Sequence, residues 1–241
     1  MAQAYEHLAH WFERLNDDCG YAQWSQYFLS GLRALGVGRR GLEAGCGSGA
    51  FSRALARAGY DMTAADISAP MLSEGMRLAR EEGLSIRFVQ ADAAALSLGT
   101  FDFILSPNDC YNYIPPRKLP SAFRHAAKSL KKGGVFWFDL SSAYKLREKI
   151  ANNVFADDRD EVTYLSFNRL YDDRVEMDVT LFVRRRDGAF DRLDERHTQY
   201  IHERADVVGM LEEAGFEVRT EGHLGGAEEQ SDRVNYICRK V

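Results

Sequence analysis

Short apolar runs alternate with segments of helical periodicity from Val37 onward, an arrangement typical of repeated βα units and a parallel sheet. Gly59 and Gly83 are expected to follow the ends of two helices, and Gly133 with Gly134 to stop a third. After a first strand before the glycine-rich turn, the pattern predicts strands at 60–65, 86–90, 101–106, 135–140, 217–221 and 233–239. We therefore predict an α/β fold with a doubly wound, mostly parallel, seven-stranded sheet.

Beyond Ser141 the pattern changes to three extended segments joined by polar turns. The segments span 161–170, 174–184 and 190–200. In the middle one, apolar positions alternate strictly with mainly polar ones, which is typical of a sheet with one buried face. These apolar positions are Val175, Met177, Val179, Leu181 and Val183. The sequence thus predicts a small antiparallel β insertion after the fifth strand.

The composition narrows the classes of partner. With 45% hydrophobic residues, a chain of 241 residues can bury a substantial core. Its 31 basic and 36 acidic residues are spread along the whole length, so we expect neither nucleic acid nor an anionic membrane as a partner. The four cysteines are far apart and predict no zinc site or disulfide framework, which fits a cytoplasmic location. The polar N-terminus does not resemble a signal peptide, and no apolar stretch is long enough to span a membrane.

A glycine-rich turn, 45–49, joins the first predicted strand to a helix. Its glycines allow a tight turn and a close approach to a ligand, and the amides of the following helix point at the ligand's negative end. Asp66 closes the second predicted strand, and Asp92 lies just past the third. Ligands of open α/β sheets lie at such carboxyl ends, where one carboxylate can accept from ribose hydroxyls and another from an adenine amino group.

The turn alone does not identify the ligand. Gly45-x-Gly47-x-x-Ala50 also satisfies the dinucleotide fingerprint, which leaves a nicotinamide-dependent oxidoreductase as an alternative. Glu43, the third glycine at Gly49 and the strand end at 91–93 favour a different ligand, because a nicotinamide or flavin enzyme needs no such set.

Taken together, the motif at 43–49 with Asp66 and Asp92 resembles the seven-stranded class I methyltransferases that depend on S-adenosylmethionine (SAM), which have a Rossmann-like fold. Gly133 with Gly134 and the segment 212–216 match that family's recurrent pattern as well. The resemblance implies SAM as the cofactor, S-adenosylhomocysteine as its product and a transferase activity.

Within that family the chain is most similar to small bacterial enzymes with an antiparallel insertion, including sugar-amine N-methyltransferases. Residues 5–9 and 21–24 resemble their N-terminal lid, 109–114 the loop after the fourth strand, and 196–200 the last insertion strand. This similarity implies four parts. They are a helical lid at 1–35, a SAM-binding α/β core at 36–141, an insertion at 142–203 that caps the acceptor, and a helix and strand pair at 204–241 that completes the sheet.

The resemblance also assigns residues to the cofactor. They are Glu43, Gly45, Cys46 and Gly47 for the methionine part, Asp66 and Ile67 for the ribose and adenine face, Met71 for packing on the base, Asp92 and Ala93 for the adenine edge, Asn108 near the methyl donor, and Tyr5, Tyr21 and Trp24 for closing the pocket. Packing of an amphipathic helix accounts for Tyr21 and Trp24 equally well.

Two residues are candidates for handling a proton of the acceptor. Tyr113 resembles in position a proposed histidine base of the sugar-amine enzymes, but a phenol with an ordinary pKa of about 10 is better suited to orienting the acceptor. Histidine is the side chain whose ordinary charge change lies near neutrality, and His197 lies on a strand that can fold over the pocket, although a surface histidine is the alternative. Asp109 and Asp139 offer two carboxylates without a clear third ligand, so no metal is expected and loop capping accounts for them.

The leading hypothesis is an enzyme that methylates a nitrogen or oxygen of a small polar organic acceptor. The insertion mixes aromatic and basic side chains, which suits such a molecule or, alternatively, a second subunit of a homodimer. Two rivals stay open: an oxidoreductase that uses an NAD-type nucleotide, and a SAM-binding subunit without catalytic activity.

Overall fold

The computed structural model describes residues 5–241, so the first four residues of the predicted lid lie outside the described residues. Within that range, the α-helices are α1 (Phe12–Leu15), α2 (Tyr21–Ala34), α3 (Ala50–Arg57), α4 (Ala69–Glu81), α5 (Leu119–Lys128) and α6 (Arg204–Glu213). The strands are β1 (Arg40–Ala44), β2 (Asp61–Asp66), β3 (Arg87–Gln90), β4 (Phe101–Ser106), β5 (Leu130–Ser141), β6 (Val154–Asp158), β7 (Val162–Leu170), β8 (Arg174–Arg184), β9 (Phe190–Tyr200), β10 (Phe216–Gly222) and β11 (Arg233–Lys240). No helix of the described part is long and apolar enough to cross a membrane.

The main sheet has seven strands in the order β10-β11-β5-β4-β1-β2-β3. Its strands run parallel except β11, which is antiparallel to both β5 and β10. Leu42 of β1 pairs with Thr63 of β2 on one side and with Ile104 of β4 on the other. The strand order therefore reverses at β1, and a crevice opens at the carboxyl ends of β1 and β4. The predicted doubly wound, mostly parallel sheet is confirmed.

Helices cover both faces of this sheet. Neighbouring residues of β4 serve opposite faces, as the pleat requires: Leu105 packs with Phe28 of α2, and Ile104 with Phe123 of α5. All four side chains are fully buried. Strands covered on both faces read as near-continuous apolar runs, which is why β4 was recognisable from the sequence.

A separate antiparallel sheet follows β5, in the order β6-β7-β8-β9, and confirms the predicted insertion. It contains one strand more than the sequence pattern indicated. The additional strand, β6, lies at the edge and is mostly exposed, so it carries no alternation of apolar and polar residues. Edge strands of this kind are the hardest to recognise from a periodic signal.

Gly133 and Gly134 do not stop a helix, and that prediction was wrong. Helix α5 ends before them, and both glycines lie inside β5. Pairing with β4 shifts register there, and Gly133 has a positive φ of 73°. A Cβ on Gly134 would lie 3.0 Å from the Asp102 carbonyl oxygen, so the glycine allows the two backbones to approach at the irregularity.

Candidate functional site

A cavity of about 310 Å³ opens at the carboxyl ends of the parallel strands. Most of the residues predicted to form the site line it. They are Tyr5, Tyr21, Glu43, Gly45, Cys46, Gly47, Asp66, Ile67, Met71, Asp92, Ala93, Asn108 and Tyr113. Trp24 and His197 are not among the lining residues, whereas Phe12 and Lys118, which the sequence did not suggest, are.

The glycine turn after β1 packs closely on one side and leaves its backbone bare on the other. The amides of Gly45 and Cys46 both donate to the Ala65 carbonyl, at 2.8 and 2.9 Å. Gly45 has a φ of 71°, and a Cβ on it would lie 2.1 Å from Cys110 Sγ. A Cβ on Gly47 would meet only Met71 Cε, at 3.8 Å. A ligand in the cavity can therefore approach the backbone at Gly47.

Asp66 presents an oriented carboxylate to the cavity. Its Oδ2 accepts from the Gly47 amide at 2.7 Å, and its Oδ1 accepts from the Ser68 amide at 2.8 Å. Burial raises the pKa of Asp66, and these backbone hydrogen bonds oppose that shift. Asp92 is more exposed, and its Oδ1 accepts from the Ala94 amide at 2.8 Å. Each aspartate is thus fixed by backbone amides at a strand end, with lone pairs left for ligand hydroxyl or amino groups.

Glu43 is a buried carboxyl beneath the glycine turn. Its Oε2 accepts from the backbone amide of Ser52 at 2.7 Å and from the Ser52 hydroxyl. Burial raises the pKa of Glu43 to about 8, although these hydrogen bonds and Arg53 favour the charged form. The group is therefore mostly protonated at neutral pH.

The raised pKa of Glu43 predicts how stability depends on pH. An unfolded glutamate has a pKa of about 4.3, so the stability this group contributes is complete below that pH and is lost as pH rises through about 8. Glu43→Gln removes the titration. Urea unfolding should show wild type losing roughly 3 kcal/mol relative to Glu43→Gln between pH 5 and pH 8. The exposed Glu217→Gln serves as control; parallel curves for wild type and Glu43→Gln would contradict the assignment.

Tyr21 and Trp24 occupy the same helix, α2, but face different surroundings. The Tyr21 hydroxyl is buried and has no hydrogen-bond partner among the residues that the structure describes. Because Tyr21 lines the cavity, this hydroxyl is available to a ligand. Trp24 instead packs its ring against Phe28 and Phe51 in the core. Trp24 therefore serves the packing of α2 against the core, whereas Tyr21 faces the space that a ligand would occupy.

Two tyrosine hydroxyls form another wall of the cavity, and an imidazole lies behind them. The hydroxyls of Tyr5 and Tyr113 are 2.8 Å apart, and Tyr113 Oη lies 3.2 Å from His197 Nδ1. His197 is 4% exposed, so it is not a surface histidine. Burial raises the pKa of Tyr113 far above its ordinary value, as does nearby Asp109. Tyr113 therefore stays protonated, and any role as proton acceptor needs a partner such as His197.

Arg233, which sequence reasoning missed, holds the loop after β4. Its guanidinium donates to Asp109 Oδ1 at 2.9 Å, to Asp139 Oδ2 at 2.6 Å and to Asn108 Oδ1 at 2.7 Å. Asn108 and Asp109 both adopt left-handed backbone conformations, with φ of 62° and 53°. The amides of these two residues donate to Asp139, at 2.6 and 3.2 Å. Loop capping therefore accounts for only part of the role of Asp139, because the same carboxylate also binds Arg233.

No sequence signal marks Arg233, since it lies at the start of β11, far along the chain from the loop it holds. The residues that the structure describes contain no group of three or more histidine, cysteine or acidic side chains placed to hold a metal ion.

Comparison with known proteins points to one family. A family model described as a methyltransferase domain matches residues 42–134, which include the glycine turn, Asp66 and Asp92. The crystal structure of an S-adenosylmethionine-dependent methyltransferase from Clostridium acetobutylicum is similar with a TM-score of 0.88, 29% identity and coverage of 99% of each chain. A protein of Geobacillus sp. strain WCH70 named "Putative methyltransferase" is 29% identical over 98% of this chain and 99% of its own length.

A more distant similarity concerns the fold alone. The sugar N-methyltransferase KedS8 from a Streptoalloteichus species has a TM-score of 0.83, covering 100% of this chain and 95% of that one, at 17% identity. The nearly complete coverage of both chains means that the insertion is part of the shared architecture.

Proposed function

Because the chain belongs to the class I SAM-dependent methyltransferases, we propose that it methylates a nitrogen or an oxygen of a small polar organic molecule. The observation that carries this proposal is the pair of hydroxyls, Tyr5 and Tyr113, on the wall of the cofactor cavity. Such a pair can hydrogen-bond an amine or alcohol beside the methyl donor. Because the glycine turn belongs to a methyltransferase, its match to the dinucleotide fingerprint no longer supports an NAD-type oxidoreductase.

The cavity residues fit SAM. The unpartnered Tyr21 hydroxyl can donate to the methionine carboxylate, and the bare backbone at Gly47 leaves room for the methionine part. Asp66 can accept from the ribose hydroxyls, and Asp92 from the adenine amino group. Ile67, 54% exposed beside Asp66, offers an apolar surface to the base, with Met71 buried behind. When bound, SAM supplies a methyl group carried by a positively charged sulfur.

The protein's own part in the reaction is to position the acceptor and to receive its proton. Methyl transfer is an in-line displacement, so alignment of the acceptor with the methyl contributes most of what a protein can supply. Tyr113 can hold the acceptor by a hydrogen bond, and His197 behind it can take up a proton. We assign acceptor recognition to the inner face of the insertion, where Tyr164 and His197 lie near Tyr113.

Support for either acceptor atom comes from similar proteins. KedS8 is named a sugar N-methyltransferase, whereas a Methylococcus capsulatus relative, 32% identical over 45% of this chain and 46% of its own length, is named a ubiquinone biosynthesis O-methyltransferase. Both acceptor types lose a proton on methylation, which the Tyr113 and His197 pair can accommodate.

The test combines cofactor binding with a panel of small amines and alcohols. Calorimetry should show binding of SAM and S-adenosylhomocysteine and none of NAD, and radiolabelled SAM should methylate at least one acceptor. Binding without transfer to any acceptor would favour the non-catalytic subunit.

Tyr113→Phe should lower kcat for the best acceptor roughly tenfold or more, because the group that orients the acceptor is lost. Affinity for SAM should stay within about twofold, since the phenyl ring keeps the cavity wall. Tyr171→Phe, the same change at an exposed position of the insertion, is the control. Equal activity of the two variants would contradict the role given to Tyr113.

A further inference from the structure

Glu195 gathers four hydrogen-bond donors on one buried carboxylate. Its Oε1 accepts from the Leu8 amide at 2.8 Å and from the His7 amide. Its Oε2 accepts from the Tyr5 amide at 2.9 Å and is 3.0 Å from His197 Nε2. Three of the partners belong to the start of the described chain, and the fourth to the same strand, β9. One side chain of the insertion thus binds both the N-terminal segment and an imidazole.

An ionised carboxylate suits this arrangement, in which three backbone amides donate to its two oxygens. Its two oxygens accept about four hydrogen bonds and donate none, whereas an amide would turn an NH2 group toward two donors. Burial alone would raise the pKa of Glu195, but hydrogen bonds from His197, His7 and Leu8 outweigh burial and lower it. Glu195 is therefore charged at neutral pH.

The carboxylate also determines which nitrogen of His197 carries the proton. Because Nε2 donates to Glu195, Nδ1 of the neutral ring is an acceptor, and it faces the Tyr113 hydroxyl at 3.2 Å. Tyr113 then donates to His197, and its oxygen accepts from the Tyr5 hydroxyl at 2.8 Å. The hydrogen bonds run in one direction, from Tyr5 through Tyr113 and His197 to Glu195. The first two residues line the cavity, so its wall can accept a further proton.

We propose that Glu195 is a positioning residue that couples attachment of the N-terminal segment 5–8 over the cavity to the orientation of His197 as the final proton acceptor. This inference rests on the proposed function for its catalytic part. The segment that covers the site and the imidazole that receives the proton are then ordered by the same carboxylate. Proton uptake is consequently available only when the segment is attached and the cavity is covered.

The proton and electron pairs balance in this scheme. The acceptor gives its proton to the Tyr113 oxygen while the phenolic proton passes to His197 Nδ1, and the resulting imidazolium is paired with Glu195. The acceptor's lone pair forms the new bond to the methyl carbon as the carbon–sulfur bond breaks, and that pair stays on sulfur. His197 returns its proton to water when the segment detaches.

The relay formed by Tyr5, Tyr113, His197 and Glu195, together with the ionisable groups beside it, comes from several elements. Tyr5 belongs to the N-terminal segment, Tyr113 and Asp109 to the loop after β4, Tyr164 to β7 and Glu195 to β9. Burial raises the pKa of both Tyr113 and Tyr164. Asp109, which is itself paired with Arg233, adds to the shift of Tyr113, and Glu195 adds to that of Tyr164. Glu195 is the carboxylate bonded to the imidazole, so its replacement is the most direct perturbation.

Two readouts test the coupling in the cofactor-free protein. Hydrogen exchange at the amides of residues 5, 7 and 8 should be at least tenfold faster in Glu195→Gln and Glu195→Ala than in wild type. Nitrogen-15 spectra should show the Nε2-protonated tautomer of His197 in wild type and a mixture of tautomers in Glu195→Gln. Asp194→Asn, the neighbouring exposed carboxylate on the opposite face of β9, should change neither. Unchanged exchange and tautomer in Glu195→Gln would overturn the proposal.

Activity tests the catalytic part. Glu195→Gln should lower kcat at least tenfold and shift the pH dependence of kcat. Combining Glu195→Gln with Tyr113→Phe should cost little more than the larger single loss, because both changes interrupt one relay. Additive losses would overturn the relay. If wild type methylates nothing, the proposed function fails, and exchange and tautomer still decide whether Glu195 couples the segment to the ring.

Discussion

Arg233→Met is expected to lower the free energy of unfolding by about 3–5 kcal/mol, because it leaves buried carboxylates without their cation. Arg233 donates to Asp109 and Asp139 at once, and Asp139 is fully buried. Methionine preserves much of the length of the side chain but none of its charge or donors. The two carboxylates would then repel each other, and Asn108, whose amide donates to Asp139 at the cavity edge, would lose its hydrogen bond to Arg233.

Urea unfolding at neutral pH measures this effect, with Arg219→Met as the matched control. Arg219 lies on neighbouring β10, is exposed and lies 3.6 Å from Glu221, so its replacement should change stability by less than about 0.5 kcal/mol. Adding Asp139→Asn to Arg233→Met should restore part of the loss, because one uncompensated charge disappears. Equal stability of the two methionine variants would show that the network does not stabilise the fold.

The fold was largely predictable because its signals are local. The apolar run of β4 and the strict alternation of β8 each follow from a few adjacent residues, and β8 and β9 begin and end where the sequence pattern placed them. The sequence pattern did not predict β6, because that strand is mostly exposed and its burial is not periodic. It also failed where a glycine is compatible with either a helix end or a strand irregularity. Gly133 and Gly134 serve a strand irregularity, although the same residue type commonly ends helices.

In the candidate site, too, some residues were predictable from local sequence and others were not. Residues at the strand ends were recognisable because topology brings the carboxyl ends of parallel strands together. Arg233 and the contact between Glu195 and the N-terminal segment were not, since these contacts join positions distant in sequence. The sequence does carry a signal for Glu195. With His197 and Gln199 it forms a row of polar residues at alternate positions of β9, all on the buried face. A row of polar residues on the buried face of a strand indicates a hydrogen-bond network, because buried polar groups are normally hydrogen-bonded.

Gly45→Ala should both destabilise the fold and weaken cofactor binding. Alanine substitutions at three glycines distinguish backbone strain, obstruction of the cavity and steric collision as causes. Gly36→Ala measures backbone strain alone, because Gly36 has a φ of 65° and open space around it. This variant should lower the free energy of unfolding by about 1 kcal/mol. Gly47→Ala combines similar strain with a methyl group in the cavity. Gly45→Ala adds a collision, because its Cβ would lie 2.1 Å from Cys110 Sγ and 2.8 Å from Cys110 Cβ. We expect it to cost roughly 2–4 kcal/mol.

Thermal unfolding and calorimetry with SAM together distinguish the three variants. Gly36→Ala should keep wild-type affinity, and Gly47→Ala should keep a stability close to that of Gly36→Ala while losing SAM affinity. Gly45→Ala should lose both. Adding Cys110→Ala to Gly45→Ala removes the nearer colliding atom and leaves the 2.8 Å contact, so part of the stability should return. If Gly45→Ala proves as stable as Gly36→Ala, the turn does not pack on Cys110, and the shape of the cavity beside Gly45 needs another explanation.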